Sequence, residues 1–424
     1  MNSVTGEERQ QAELPAWQQA VAFLVACAVL ISRRPDAILH PQFWAEDGHV
    51  WFAEAYNLGW GHALLRTYAG YFQTLPRIGA ALALLAPLTL APLAMNLIAI
   101  AVQALPVSLL LSSRSSAWGS LRHRAFMAVI YLALPNMREI GAILTNSQWV
   151  LALAAFLVLV ALTPKTIAGK VFDASVVLIC GLTGPFCVFL LPIAVWIAWR
   201  DRNAWRWAVV GILAAACFIQ AWALLVMDRA GRANAALGAG PALFMRILGG
   251  HVFLGTLLGG NQLASYAGTA IFLLLLGAAI VGATIVALCF MRATVEMKLL
   301  LLFCFAILAA ALISPESYPD PGLTRWQSLA AAGGVRYWFL PSLAFSWSLL
   351  WCANSRSTAL KRVSAVLLFL MCFGIVRDWE LPALANLHFA EEAKRFEAAP
   401  PGTAVVIPEN PQGWTLVLKR KPAQ

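Results

Sequence analysis

Residues 43–56 read FWAEDGHVWFAEAY and set three carboxylates, Glu46, Asp47 and Glu54, in a run of aromatic residues. Adjacent carboxylates such as Glu46 and Asp47 offer the oxygen ligands that a divalent cation, Mg²⁺ or Mn²⁺, prefers, and either one suits general-base work. An acidic pair is a common dipeptide, so its surroundings carry the weight. On a helix opening near Ala45, Asp47 and Glu54 are seven positions apart and share a face. The aromatics Phe43, Trp44, Trp51, Phe52, Tyr56 and Trp60 fit a membrane-interface belt and equally fit platforms for sugar rings.

The elements that must position these residues are membrane helices. The chain has 424 residues, of which 61% are hydrophobic and 12% charged, and its mean hydropathy is +0.74. A soluble domain is nearer half apolar and a quarter charged. Several runs are long enough to cross about 30 Å of hydrocarbon. The pattern predicts an all-α polytopic membrane protein with about 11 transmembrane helices, at 15–31, 92–112, 125–138, 147–163, 171–183, 185–200, 207–227, 264–290, 298–314, 337–353 and 363–376. The turn residues GLTGPF at 181–186 predict a tight helical hairpin. A β-barrel would instead show short alternating segments.

The net charge of +10 does not mark a nucleic-acid binder, because the basic residues sit in short loops between apolar runs. Loops 113–124, 164–170, 200–206 and 354–362 are the basic ones and fall on one side, which predicts that side to be cytoplasmic. Residues 1–14 then form a cytoplasmic arm and residues 15–376 the membrane domain. Residues 32–91 form a large first periplasmic loop, and 377–424 a periplasmic tail. Arg33 and Arg34 oppose this orientation, and the four later loops outvote them. The apolar stretch 75–89 is short and reads as an interfacial helix. The tail predicts an amphipathic helix at 383–398 and a β-hairpin of TAVVIP and WTLVLK around ENPQG. The eight cysteines lie in or beside apolar runs and read as buried hydrophobes.

This layout resembles the GT-C superfamily of integral-membrane glycosyltransferases, which includes protein mannosyltransferases and lipid A aminoarabinose transferases. FWAEDGHVWFAEAYNLGWG is similar to their acidic pair followed by an aromatic amphipathic helix and a glycine. YFQTLPRIGAALALL at 71–85 resembles the stretch after it, where many members carry His-Pro-Pro; this chain has Leu75-Pro76 and lacks the histidine. The resemblance implies a polyprenyl-phosphate-linked sugar as donor, inversion at the anomeric carbon, and a glycan, lipid or protein acceptor at the periplasmic face of a bacterial inner membrane. It makes Asp47 the first choice for the catalytic acid, as base or metal ligand, with Glu46 as the alternative.

A leaving phosphate needs positive charge. Arg336, in GGVRYWFLP at 333–341, lies where a span begins and beside Tyr337, and suits bidentate grip of a lipid phosphate or simple interfacial anchoring. Arg138 is read as a structural ion pair with Glu139 or as a pocket residue. Glu54, Arg66 and Arg77 are further candidates. His251 is read as a surface histidine, and Trp414 as either packing the hairpin or stacking on a sugar. No phosphate-binding loop, dinucleotide fingerprint, HExxH motif or nucleophile elbow is present. Competing readings are an O-antigen polymerase or ligase, a transporter or flippase of lipid-linked sugars, and a non-catalytic scaffold. A transporter would normally carry ionisable residues inside its spans.

Overall fold

Almost every apolar run becomes a helix. The computed structural model describes residues 14–227, 235–260, 269–315, 322–331 and 334–422. The expected cytoplasmic arm lies outside these residues apart from Leu14. The main helices are α1 (Ala16–Arg33), α2 (Thr74–Ala83), α3 (Ala91–Leu111), α4 (Leu121–Ala133), α5 (Ser147–Val160), α6 (Ile167–Gly181), α7 (Cys187–Asp201), α8 (Ala204–Val226), α9 (Pro241–Leu258), α10 (Thr269–Arg292), α11 (Val295–Ile313), α12 (Phe339–Ala353), α13 (Thr358–Arg377) and α14 (Phe389–Ala398). Among the described residues the sheets are two-stranded: a small hairpin at 67–72, and the tail hairpin of β1 (Ala404–Glu409) and β2 (Trp414–Lys419). The protein is an all-helical polytopic membrane protein.

Among the described residues, seven helices are long and apolar enough to cross a bilayer: α1, α3 (with the turn before it), α8, α9, α10, α11 and α13. The others are shorter. Helix α5 has 14 residues, a length of about 21 Å at 1.5 Å per residue. All of its residues are buried, and α12 is buried over nearly its whole length. A helix that is apolar all round belongs in the centre of a bundle, and these two form that centre. Helix α2 has ten residues and is about 15 Å long, too short to span hydrocarbon.

Polar bonds sort the helix ends into two groups. At one end Arg114 pairs with Asp173 and donates to the carbonyl of Leu162, Arg206 donates to the carbonyls of Leu159 and Ala161, and Arg200 pairs with Glu296. At the other end Arg33 donates to the carbonyls of Leu132, Leu134, Asp378 and Trp379. Arg34 donates there to the carbonyls of Arg138 and Gly141. Both arginines are buried and cap open backbone of 132–141 and 378–382. Their guanidinium groups are engaged by backbone carbonyls.

Helix α9 begins and ends in this second group. The segment before it bonds to 324–326 through Arg325 and Trp326, and Gly260 after it donates to Asp378. Midway, His251 is buried, stacks on Trp338 at 5.4 Å and meets the Ala330 carbonyl. This corrects the reading of His251 as a surface residue: the imidazole fills a polar niche under a buried indole.

The expected hairpin of α6 and α7 is also corrected. The two helices pack chiefly on α8 and α5 rather than on each other. Their connection is drawn out by the first loop, where Thr74 donates to Leu182, Gly184 to Phe72, and Leu75 to the Thr183 hydroxyl. The tail meets expectation more closely, with a helix at Phe389–Ala398 and a six-pair antiparallel hairpin.

Candidate functional site

The first loop does not open as a regular α-helix. Ala45 has φ 47°, and residues Asp47–Phe52 form a π-helix before Ala53–Leu58. The wider turn breaks the seven-residue register that would have put Asp47 and Glu54 on one face. Glu54 instead binds Arg77 at 2.7 Å and Arg66 at 3.1 Å. Arg77 is buried and its guanidinium lies over the Trp51 ring at 4.9 Å. This ionic cluster props Trp51 from behind.

The acidic pair is split. Asp47 is 2% exposed. Its two oxygens accept from the Leu144 N–H at 3.1 Å, the Thr145 N–H at 2.8 Å and the Thr145 hydroxyl at 2.6 Å. Trp51 donates to the same hydroxyl at 2.8 Å. Burial pushes the Asp47 carboxyl up to about 7, against the lowering pull of these hydrogen bonds. Asp47 therefore ties the first loop to the 143–147 turn.

Glu46, one residue earlier, is half-buried and faces a cavity of about 540 Å³. Tyr68 lies 3.5 Å from its Oε1. Also at this end of the cavity are Trp44, Tyr71, Asn146, Gln148, Glu139 and Arg336. Glu139 accepts from the backbone N–H groups of Gly334 and Arg336, at 3.2 and 3.3 Å, and pairs with the Arg336 guanidinium at 3.4 Å. Arg336 lies over the Tyr337 ring at 5.0 Å, and Tyr337 meets Trp149 edge-on. Away from this polar end the wall turns apolar, with Val188 and Phe189 of α7, Leu224 of α8, and Ile307, Ala310 and Ala311 of α11. One cavity thus joins a carboxylate and a guanidinium to apolar faces of three helices.

Of the sequence candidates, Glu46, Arg336 and Tyr337 meet in the cavity, and Trp414 joins them. Asp47 stands behind its wall. Glu54 and Arg66 sit in the ionic cluster. Arg138 is half-buried beside the wall, and its carbonyl accepts from Arg34; the salt bridge of Glu139 runs to Arg336. Thr145 and Glu409 escape a reading of the sequence. Thr145 lies in the polar cluster TNSQ that runs into the start of α5. Glu409 ends a strand of the local tail hairpin, but the residues it packs against, Gly48 and Asp47, are far away in sequence.

Glu409 is 1% exposed, and its oxygens make no well-formed hydrogen bond, although the His49 backbone N–H faces them and pulls the carboxyl down. Its carboxyl presses on Gly48, where an added Cβ would fall 2.0 Å from Oε2. Burial pushes it up to about 9, and the nearby Asp47 and Glu46 charges push in the same direction. Among the described residues no three His, Cys, Asp or Glu side chains converge as a metal site, and the oxygens of Asp47 are already engaged. A two-carboxylate cation site at Glu46 and Asp47 does not fit this geometry.

No protein-family model matches the chain, and no curated protein matches it.

Proposed function

We propose that this protein is an inverting membrane glycosyltransferase that moves a sugar from a polyprenyl-phosphate donor to an envelope acceptor at the periplasmic face of a bacterial inner membrane. The observation that carries the reading is the two-natured cavity. Its polar end holds a carboxylate, Glu46, and a guanidinium, Arg336, and its far wall is made of apolar side chains of α7, α8 and α11. A polyprenyl phosphate has the same two natures. Its isoprene chain suits the apolar helix faces and its phosphate suits Arg336, which exchanges Glu139 for the incoming anion. Glu46 then takes the proton of the acceptor hydroxyl as that oxygen attacks the anomeric carbon, and the phosphate leaves towards Arg336. A single displacement at the anomeric carbon gives inversion, and it requires the sugar to seat between Glu46 and the departing phosphate. Asp47 holds the loop that carries Glu46. No step is routed through a metal ion.

The same reading takes α1, α3 to α8 and α10 to α13 as crossings, eleven in number when the shorter helices are included, as the loop charges suggest. Helix α9 lies with both ends on the outer side, and α2 rests at the interface. A reporter fused after Ser115 is then cytoplasmic and one fused at the C-terminus periplasmic. The reverse pattern would put Glu46 on the wrong side and end the proposal.

The direct test is mass spectrometry of envelope glycans and glycolipids from a deletion strain. Loss of one sugar, restored by the wild-type gene and not by Glu46→Gln, supports a transferase and names its sugar class. Unchanged glycans in the deletion strain sink it.

A further inference from the structure

The C-terminal hairpin is built into the cavity wall. Pro411 and Trp414 line the same cavity as Glu46, although more than 360 residues separate them in sequence. The turn is held there by the backbone of the first loop. Trp44 and Asn410 form a parallel bridge, in which the Ala45 N–H donates to the Asn410 carbonyl and the Asn410 N–H to Phe43. Further along, His49 Nδ1 lies 2.6 Å from the Thr415 carbonyl. Asn57 donates to Val417 and accepts from the Lys419 N–H. These bonds fix the hairpin on both sides of Glu46, so the indole of Trp414 has a set position beside the proposed base. Its ring meets His49 edge-on at 5.6 Å and is only half-buried, leaving surface open to the cavity.

We infer that Trp414, with Trp44 in the lining of the same cavity, forms an acceptor subsite that binds a saccharide ring, so that the acceptor is a glycan or glycolipid and not a protein hydroxyl. This rests on the glycosyltransferase reading and adds the class of acceptor to it. The chemistry is that of an aromatic face against the C–H face of a pyranose. Flat apolar area and weak C–H contacts provide the affinity, and a few polar groups nearby fix the orientation. The arrangement divides the cavity. The phosphate lies at Arg336 in the polar end that Glu46 shares, the lipid lies against α7, α8 and α11, and the aromatic platform is the wall formed by the hairpin. A serine or threonine side chain of a protein acceptor presents no ring for such a platform. A sugar acceptor presents both the ring and the attacking hydroxyl, and the two are rigidly joined, so stacking the ring on Trp414 also aims the hydroxyl at Glu46.

The test uses the full chain in lipid nanodiscs and two probes. Undecaprenyl phosphate reports the lipid-phosphate end. A panel of neutral and N-acetylated pentasaccharides, read by saturation-transfer NMR, reports the acceptor end. Wild type, Trp414→Ala and Trp414→Phe are compared, and the phenylalanine variant keeps a ring against His49. The expected result is saccharide binding in wild type, weakened at least tenfold in Trp414→Ala and largely kept in Trp414→Phe, with undecaprenyl phosphate bound equally by all three. Saccharide binding that is equal in wild type and Trp414→Ala overturns the subsite. Undecaprenyl phosphate binding without any saccharide binding in wild type also overturns it, while leaving the lipid-donor reading intact. Failure of wild type to bind either probe removes both readings. Parallel loss of both probes in Trp414→Ala and Trp414→Phe would make the tryptophan a packing residue of the hairpin and likewise overturn the subsite.

Discussion

Replacing Glu46 by Gln is expected to lower sugar transfer by about 10²–10⁴-fold, with expression, thermal stability and undecaprenyl phosphate binding unchanged. The amide keeps the size of the side chain and its contact with Tyr68, and removes only the ability to take a proton. Because Glu46 is half-buried in the cavity wall, the change opens no hole and strands no buried donor. Its neighbour is the control. Asp47 accepts from Leu144 and Thr145 with both oxygens. An asparagine there carries two N–H hydrogens, of which the Thr145 hydroxyl can accept one, as it can accept the single hydrogen of a protonated acid; the other is left as a buried donor without an acceptor, which costs roughly 1–3 kcal/mol. Asp47→Asn therefore loses thermal stability and yield, and retains transfer in proportion to the folded protein that remains. Initial rates per folded molecule, measured for both variants, decide the matter. A folded Asp47→Asn with no turnover beside an active Glu46→Gln would move the base to Asp47.

That contrast also marks what a sequence can and cannot give. The run of aromatics and acids at 43–56 points to a loop that lines the cavity, because polar density in so apolar a chain has few places to go. Which acid faces the cavity depends on a backbone detail, the left-handed Ala45 and the π-helical turn after it. No periodicity encodes that detail. Arg336 is legible from its place before an apolar run, whereas its bond to Glu139 joins positions nearly 200 apart. The same holds for Arg33 and Arg34. As letters they are a topological signal, and in the fold they are hydrogen-bond donors to carbonyls that the helix ends leave open. The long apolar helices are readable from length alone. The central helix α5 is readable as apolar, but its total burial follows from neighbours on every side.

The tail shows the limit most clearly. Its strands are readable from alternation and turn residues, yet only the folded chain puts Glu409 beside Asp47 and Trp414 beside Glu46. A small appendage by sequence is a wall of the site in space.

The carboxyl pair at that junction gives the second expected result: thermal stability falls as pH rises from 5 to 9, and Glu409→Gln removes the upper part of the fall. Burial raises both groups above their ordinary values, Asp47 to about 7 and Glu409 to about 9, so the fold holds protons that the unfolded chain releases. Stability from this source is complete below about pH 4, where both states are protonated. It is lost as pH climbs through the folded values, first that of Asp47 and then that of Glu409. A tenfold tighter hold on a proton is worth about 1.4 kcal/mol, so the loss is on the order of 4 kcal/mol for Asp47 alone. The two groups do not titrate independently, because the first charge makes the second costlier. Glu46, on the same loop, adds to the repulsion, and His49 beside the hairpin is exposed to solvent. A neutral amide at 409 ends the conflict, so Glu409→Gln should melt at least about 4 °C above wild type at pH 8.5 and close to it at pH 5. The reading is thermal unfolding in detergent or nanodiscs across that range. Melting curves of Glu409→Gln that track wild type at every pH would mean that Glu409 is charged and solvated in the folded protein. The hairpin would then not be sealed against the first loop as described, and the clamp that positions Trp414 would be loose as well.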